Sequence, residues 1–119
     1  MDELREMTVT PDRYTTYRYA GASLDFNPIH LDDEFARSVD LPSKILHGLW
    51  TMAQVARAQT EAVGDPLALK SLSVQFRGLG VPEKEITIAL TPGEDGVVAC
   101  EAVQDGNKLV RRGRAVLRI

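Results

Sequence analysis

The chain has 119 residues, is 44% hydrophobic and 26% charged, and carries a net charge of -3. It has room for one domain that buries roughly two-thirds of its unfolded surface. The acidic balance argues against a general nucleic-acid binder while leaving room for a local basic patch. A single cysteine, Cys100, excludes an internal disulfide and fits a reducing compartment. No stretch reaches the roughly 20 apolar residues of a membrane span, and "MDELREM" lacks the apolar core of a secretion signal, so the expected location is the cytoplasm.

In chain order, Thr10-Pro11 is a helix start, Thr as N-cap and Pro at the first helical position. The helix is expected to run through "PDRYTTYRYAGAS" until Gly21, with Tyr14 and Tyr17 sharing a face and Tyr19 pointing elsewhere. "LDFNPIH" must interrupt any helix, because Pro28 lacks an N–H and drives Asn27 toward extended geometry. "LDDEFARSVD" reads as a short helix with Asp32 or Asp33 at its N-terminus, and "LPSKIL" as a loop.

The next segment, "HGLWTMAQVARAQTEAVG" (residues 47–64), predicts a long helix whose first turns are apolar on nearly every side. Such a helix is buried by something that wraps around it. Four alternating segments follow: "SLSVQFRGLGV", "EKEITIALTP", "GVVACEAVQ" and "NKLVRRGRAVLRI", separated by turn sequences. They predict an antiparallel meander of four strands. The resulting fold is α+β, a curved antiparallel sheet wrapped around one central helix. Cys100 sits in an alternating apolar stretch as a small core residue rather than a nucleophile. Lys108, Arg111, Arg112, Arg114 and Arg118 crowd the last strand. They form either a solvated face or edge protection, or a docking surface for phosphate groups or an acidic carrier protein.

Chemistry concentrates in "LDFNPIH". The Asn27-Pro28 break keeps this segment tight, so Asp25 and His30 can converge, hold a water between them and move its protons. Asn27 braces such a loop through bonds from its side chain to the backbone. Spacing alone equally allows a capped turn in which His30 is merely satisfied by a neighbour. A metal site is disfavoured, since "HLDD" offers oxygen ligands but no second nearby histidine. His47-Gly48 opens the long helix, where unpaired N–H groups and the positive dipole end can receive a carbonyl oxygen gaining negative charge. Gly48 has no side chain to block that approach. An acid–base pair beside an oxyanion site suits the addition or removal of water across a double bond conjugated to a thioester carbonyl.

"YAGASLDFNPIHLDDEFA", "ILHGLWTMAQVA" and "VQFRGLGVPEKEI" together resemble the MaoC-like, (R)-specific enoyl-CoA hydratase family, which includes single-domain β-hydroxyacyl-ACP dehydratase subunits. The resemblance covers nearly the whole chain after Thr10, so residues 1–119 are expected to be a single hotdog domain. It implies that Asp25 and His30 are the catalytic pair, that Asn27 and Pro28 shape their loop, and that the Gly48 N–H polarises the thioester carbonyl. It also implies an acyl-CoA or acyl carrier protein substrate, no metal or redox cofactor, and a dimer with the acyl chain entering at the subunit interface. Leu24, Trp50 and Met52 are the candidate walls of the acyl pocket. Leu24 stands where the family usually has glycine; if that position needs positive φ, Leu24 is strained. "LREMTV" is the candidate for the strand that precedes the first helix. The alternatives are a subunit dependent on another hotdog partner, or a hotdog thioesterase. The latter often carries an acid in its central helix, whereas residues 48–60 contain none.

Overall fold

The structure is a computed structural model describing residues 6–118. Its elements are β1 (Met7–Val9), α1 (Thr15–Ser23), a 3₁₀ turn (Pro28–His30), α2 (Asp33–Ser38), α3 (Gly48–Val63), β2 (Leu69–Phe76), β3 (Ile86–Pro92), β4 (Val97–Gln104) and β5 (Asn107–Leu117). The strands form one antiparallel sheet in the order β1-β3-β4-β5-β2. No helix among the described residues is long and apolar enough to cross a membrane.

Alternation along the strands builds the core. Ile86, Ile88 and Leu90 of β3, Val98 and Ala102 of β4, and Leu109, Ala115 and Leu117 of β5 all point inward. α3 packs on this face against β2, β3, β4 and β5, burying Thr51, Val55, Ala58 and Gln59. Those positions, at helical spacing, form one stripe. The sheet therefore covers one side of the helix in the single chain, and Leu49 on another side is 61% exposed. Cys100 is a core residue, and burial pushes its thiol up to about 11. It lies opposite Gly113 of β5, where a Cβ would come within 2.5 Å of the Cys100 carbonyl oxygen.

The expected four-strand meander is corrected to three strands. β3, β4 and β5 follow one another, but β2 lies beyond β5. The reason is competition for an edge: β1 pairs with β3, Met7 opposite Ile88, and takes the place a meander would give to β2. Of "LREMTV", residues 4 and 5 lie outside the described residues, and Met7–Val9 form β1. The link from β2 to β3 keeps pairing with β5, since the Arg77 and Gly78 N–H groups donate to the Leu109 and Lys108 carbonyls. The buried Gln104 amide then pins the link by accepting from the Val81 N–H and donating to the Val81 and Lys84 carbonyls.

β5 is consequently an interior strand, so its cations do not protect an edge. Lys108 pairs with Glu101 at 3.1 Å, Arg111 donates to the Gln75 side chain, and Arg112 and Arg114 are exposed. α1 also starts later than Thr10-Pro11 predicts. Asp12 captures the chain first, its Oδ1 accepting the Tyr14 N–H at 2.8 Å while Arg18 Nη2 bonds both carboxylate oxygens at 3.0 Å. That guanidinium holds the Asp12 carboxyl below its usual range. α1 continues past Gly21 to Ser23. Asp32 is the N-cap of α2, its Oδ1 accepting the N–H groups of Glu34 and Phe35.

Candidate active site

The loop between α1 and α2 is built by side chains that cap their own backbone. Leu24 ends α1 in the left-handed conformation, φ 65° and ψ 19°, its N–H donating to the Ala20 carbonyl. This reverses the chain direction, and Asp25 follows with its N–H on Ser23 Oγ. Asp25 Oδ1 accepts the Asn27 N–H at 3.2 Å, and Asn27 Oδ1 accepts the Ile29 N–H at 3.2 Å. Pro28 opens the 3₁₀ turn that ends on His30. Both polar residues are thus spent in part on the turn, as their side-chain chemistry favours.

One oxygen of Asp25 stays free of the turn and faces the imidazole: Oδ2 is 3.8 Å from His30 Nε2. That separation is too long for a direct hydrogen bond and accommodates one water within reach of both atoms. His30 is buried and its Nδ1–H donates to the Ile45 carbonyl at 2.8 Å. A carbonyl only accepts, so the neutral ring carries its lone pair on Nε2, toward Asp25. The Asp25 side chain itself is 52% exposed.

The second histidine, remote in sequence, completes the arrangement. His47 is the N-cap of α3, and its ring stacks on His30 with centroids 3.8 Å apart and planes 19° from parallel. Its Nε2–H donates to the Asp25 backbone carbonyl at 3.0 Å, and the Tyr19 ring packs against it, tilted by 57° with centroids 4.9 Å apart. Burial lowers the pKa of His47, outweighing the carbonyl it bonds. Sequence reasoning used His47 only to mark the helix start; that both histidines of the chain would meet had no local signal.

The first turn of α3 has no side-chain cap. The N–H groups of Trp50 and Thr51 reach back to the His47 carbonyl, and those of Gly48 and Leu49 have no hydrogen bond among the described residues. Gly48 and His30 line the same cavity, of about 210 Å³, with Ile45, Phe76 and Leu109 forming apolar wall. A Cβ on Gly48 would lie 3.2 Å from the Phe76 ring, so the glycine admits close approach on the cavity side. Leu24, Trp50 and Met52 do not line this cavity. Leu24 is 75% exposed, and Trp50 lines a second cavity of about 450 Å³ with Tyr19, Gln54 and Arg57. Met52 is half-buried.

Asp25, His30 and His47 also bring three potential metal-ligand atoms within 4.8 Å of one another. The fold thereby supplies the second histidine that the sequence lacked nearby. The stacked rings direct their lone pairs in near-parallel planes instead of toward one point, and each spends a nitrogen on a carbonyl. As arranged, the three groups suit proton transfer better than chelation.

An antiparallel sheet packed on one long helix is the architecture of a hotdog fold. Residues 1–111 match the family model of the MaoC like domain, and the chain belongs to that family. It is similar to the peroxisomal enoyl-CoA hydratase 2 of Arabidopsis thaliana, 32% identical over 115 residues that make up 95% of this chain and 36% of that protein. The MaoC-like dehydratase from Phytophthora capsici superposes with a TM-score of 0.88 at 27% identity, covering 99% of this chain and 42% of that one. The (R)-hydratase from A. caviae has the same fold, with a TM-score of 0.83 at 21% identity over 98% of this chain and 96% of that one.

Proposed function

We propose that this protein is a hydro-lyase that adds water to trans-2-enoyl thioesters, giving (R)-3-hydroxyacyl thioesters, and catalyses the reverse dehydration. The observation that carries this reading is the 3.8 Å separation of Asp25 Oδ2 and His30 Nε2, with His30 sharing a cavity with Gly48 at the uncapped start of α3. Membership of the MaoC-like family and similarity to an enoyl-CoA hydratase 2 support it. The (R) configuration is proposed from the likeness to an (R)-hydratase.

In the forward direction the water held by the pair attacks C3 as His30 Nε2 takes its proton. The π electrons move onto the thioester oxygen, where the Gly48 N–H and the positive end of α3 stabilise the charge. C2 then takes a proton from the pair, and the net change is addition of one H₂O. Because one pair serves both carbons, the two additions come from one face. No step requires a metal or a redox cofactor.

The acyl chain is proposed to lie against Ile45, Phe76 and Leu109. Leu24, Trp50 and Met52 extend that wall only in a dimer of hotdog chains, the proposed functional unit. The exposed side of α3 supports this unit, and Leu24 leaves open a different hotdog chain as partner. The phosphate-bearing end of CoA or of an acyl carrier protein is assigned to the groove of Arg77, Lys108 and Arg111. It adjoins the cavity through residues 77–79. The proposed location is the cytoplasm, whereas the Arabidopsis thaliana relative is peroxisomal.

The test is turnover of trans-2-enoyl-CoAs of graded length by the purified protein, with the product's configuration determined. Formation of (R)-3-hydroxyacyl-CoA is expected. Absence of turnover alone and with a hotdog partner, or release of free thiol instead, would overturn the reading.

A further inference from the structure

We propose that His47 is a positioning residue that locks the Asp25 loop, the His30 ring and the start of α3 into one rigid unit. The inference rests on the hydratase reading above and adds a residue to it. One residue touches each component, two through its side chain and the third through its backbone carbonyl. The Nε2–H of His47 holds the Asp25 backbone carbonyl at 3.0 Å, which fixes where the carboxylate stands. Its ring lies flat on His30 at 3.8 Å, which limits rotation of that imidazole. Its own carbonyl accepts the Trp50 and Thr51 N–H groups, which leaves the Gly48 and Leu49 amides at the helix start.

Space-filling alone does not explain a histidine here. His47 is 2% exposed, and its Nδ1 is buried with no hydrogen-bond partner among the described residues. An orphaned buried acceptor carries a desolvation cost that an apolar ring avoids. The group retained at that cost is the Nε2–H donor. The groups that face the ring are Asp25, His30 and Tyr19. A neutral His47 suits this neighbourhood, because a second cation stacked on His30 would oppose each proton that His30 accepts. Burial favours that neutral form.

Two variants separate the contacts. His47→Phe keeps a ring against His30 and loses the donor to Asp25, whereas His47→Gln restores an N–H donor without the ring. With a trans-2-enoyl-CoA, His47→Phe is expected to lower kcat by about 10–100-fold with KM within about threefold, and His47→Gln to recover most of it. Long-range ¹H–¹⁵N correlation on the wild-type protein is expected to show His47 neutral at pH 7, with its proton on Nε2. A His47→Phe enzyme within about twofold of wild-type kcat overturns the inference. So does a His47 ring that is charged or protonated on Nδ1. Should wild type not turn over, either alone or with a hotdog partner, the hydratase reading fails, and the positioning role is judged by NMR alone. Unmoved Asp25 amide and His30 ring resonances in His47→Phe then overturn it. If His47→Phe does not fold, His47→Gln and the wild-type tautomer decide.

Discussion

His30 ends a 3₁₀ turn and His47 opens the longest helix, yet their rings lie face to face, 3.8 Å apart and 19° from parallel. Two cations at that distance would repel by about 4 kcal/mol at an effective dielectric of about 20. The structure resolves the conflict by making the partners unequal. Burial depresses the pKa of His47, while His30 directs a free Nε2 toward the Asp25 carboxylate.

That inequality sets a pH dependence. Folded His47 lies below the ordinary value of 6.5, so between its folded value and 6.5 the unfolded chain binds a proton that the folded chain does not. Unfolding free energy therefore rises with pH in this window: the contribution is complete above 6.5 and is lost as pH falls. Urea unfolding at pH 7 and at about pH 5.5 is expected to show wild type losing more stability than His47→Gln. Parallel losses in the two proteins would show that His47 is not the group responsible.

Asp25→Asn and His30→Ala are each expected to lower turnover at least about a hundredfold. Asp25 is half-exposed, so its amide variant is expected to keep wild-type stability. His30→Ala leaves the Ile45 carbonyl without its donor and is expected to cost about 1–3 kcal/mol as well. Circular dichroism and denaturant melts separate the two effects. Retention of more than a tenth of wild-type activity by Asp25→Asn would remove the carboxylate from the mechanism.

Leu24 occupies the left-handed region with 75% of its surface exposed, so its conformation costs energy that packing does not return. Glycine there relieves about 1–2 kcal/mol of strain and adds about 0.5–1 kcal/mol of chain entropy to be lost on folding. Leu24→Gly is expected to stabilise the protein by about 0.5 kcal/mol net, seen as a higher urea midpoint. A lower midpoint would mean that Leu24 packs against something in the assembled protein.

Two glycines are expected to respond differently to alanine. At Gly48 the new Cβ meets the half-exposed Phe76 ring, which can move, and alanine favours the helix by about 1 kcal/mol. Gly48→Ala is expected to stay within about 1 kcal/mol of wild-type stability while turnover drops at least about tenfold, because the Cβ intrudes at the amide proposed to receive the thioester carbonyl. At Gly113 the Cβ meets the Cys100 backbone, which cannot yield cheaply. Gly113→Ala is expected to cost about 1–3 kcal/mol. Thermal melts and steady-state kinetics on both variants check the pair; an active Gly48→Ala enzyme would move the oxyanion site elsewhere.

Much of this molecule was legible in consecutive residues. Alternation in "ITIAL" and "VVACEA" placed inward side chains, and "HGLWTMAQVARAQTEAVG" contained both ends of α3, His47 as N-cap and Gly64 in the left-handed C-cap. "DFNP" prescribed a turn in which Asp25 and Asn27 cap their own backbone. Local preference is set by neighbouring side chains and dihedral angles, so a one-dimensional pattern suffices for it. Asp12 overrode the Thr10-Pro11 start because its carboxylate reached Arg18 as well as the backbone. Tertiary structure alone decided that β1 would claim the edge of β3 and send β2 across to β5. It alone stacked His47 on His30 and opened a cavity beside the bare amides of α3. Those outcomes depend on which edges and faces remain unoccupied once the helix docks on the sheet, a competition among segments far apart in the chain.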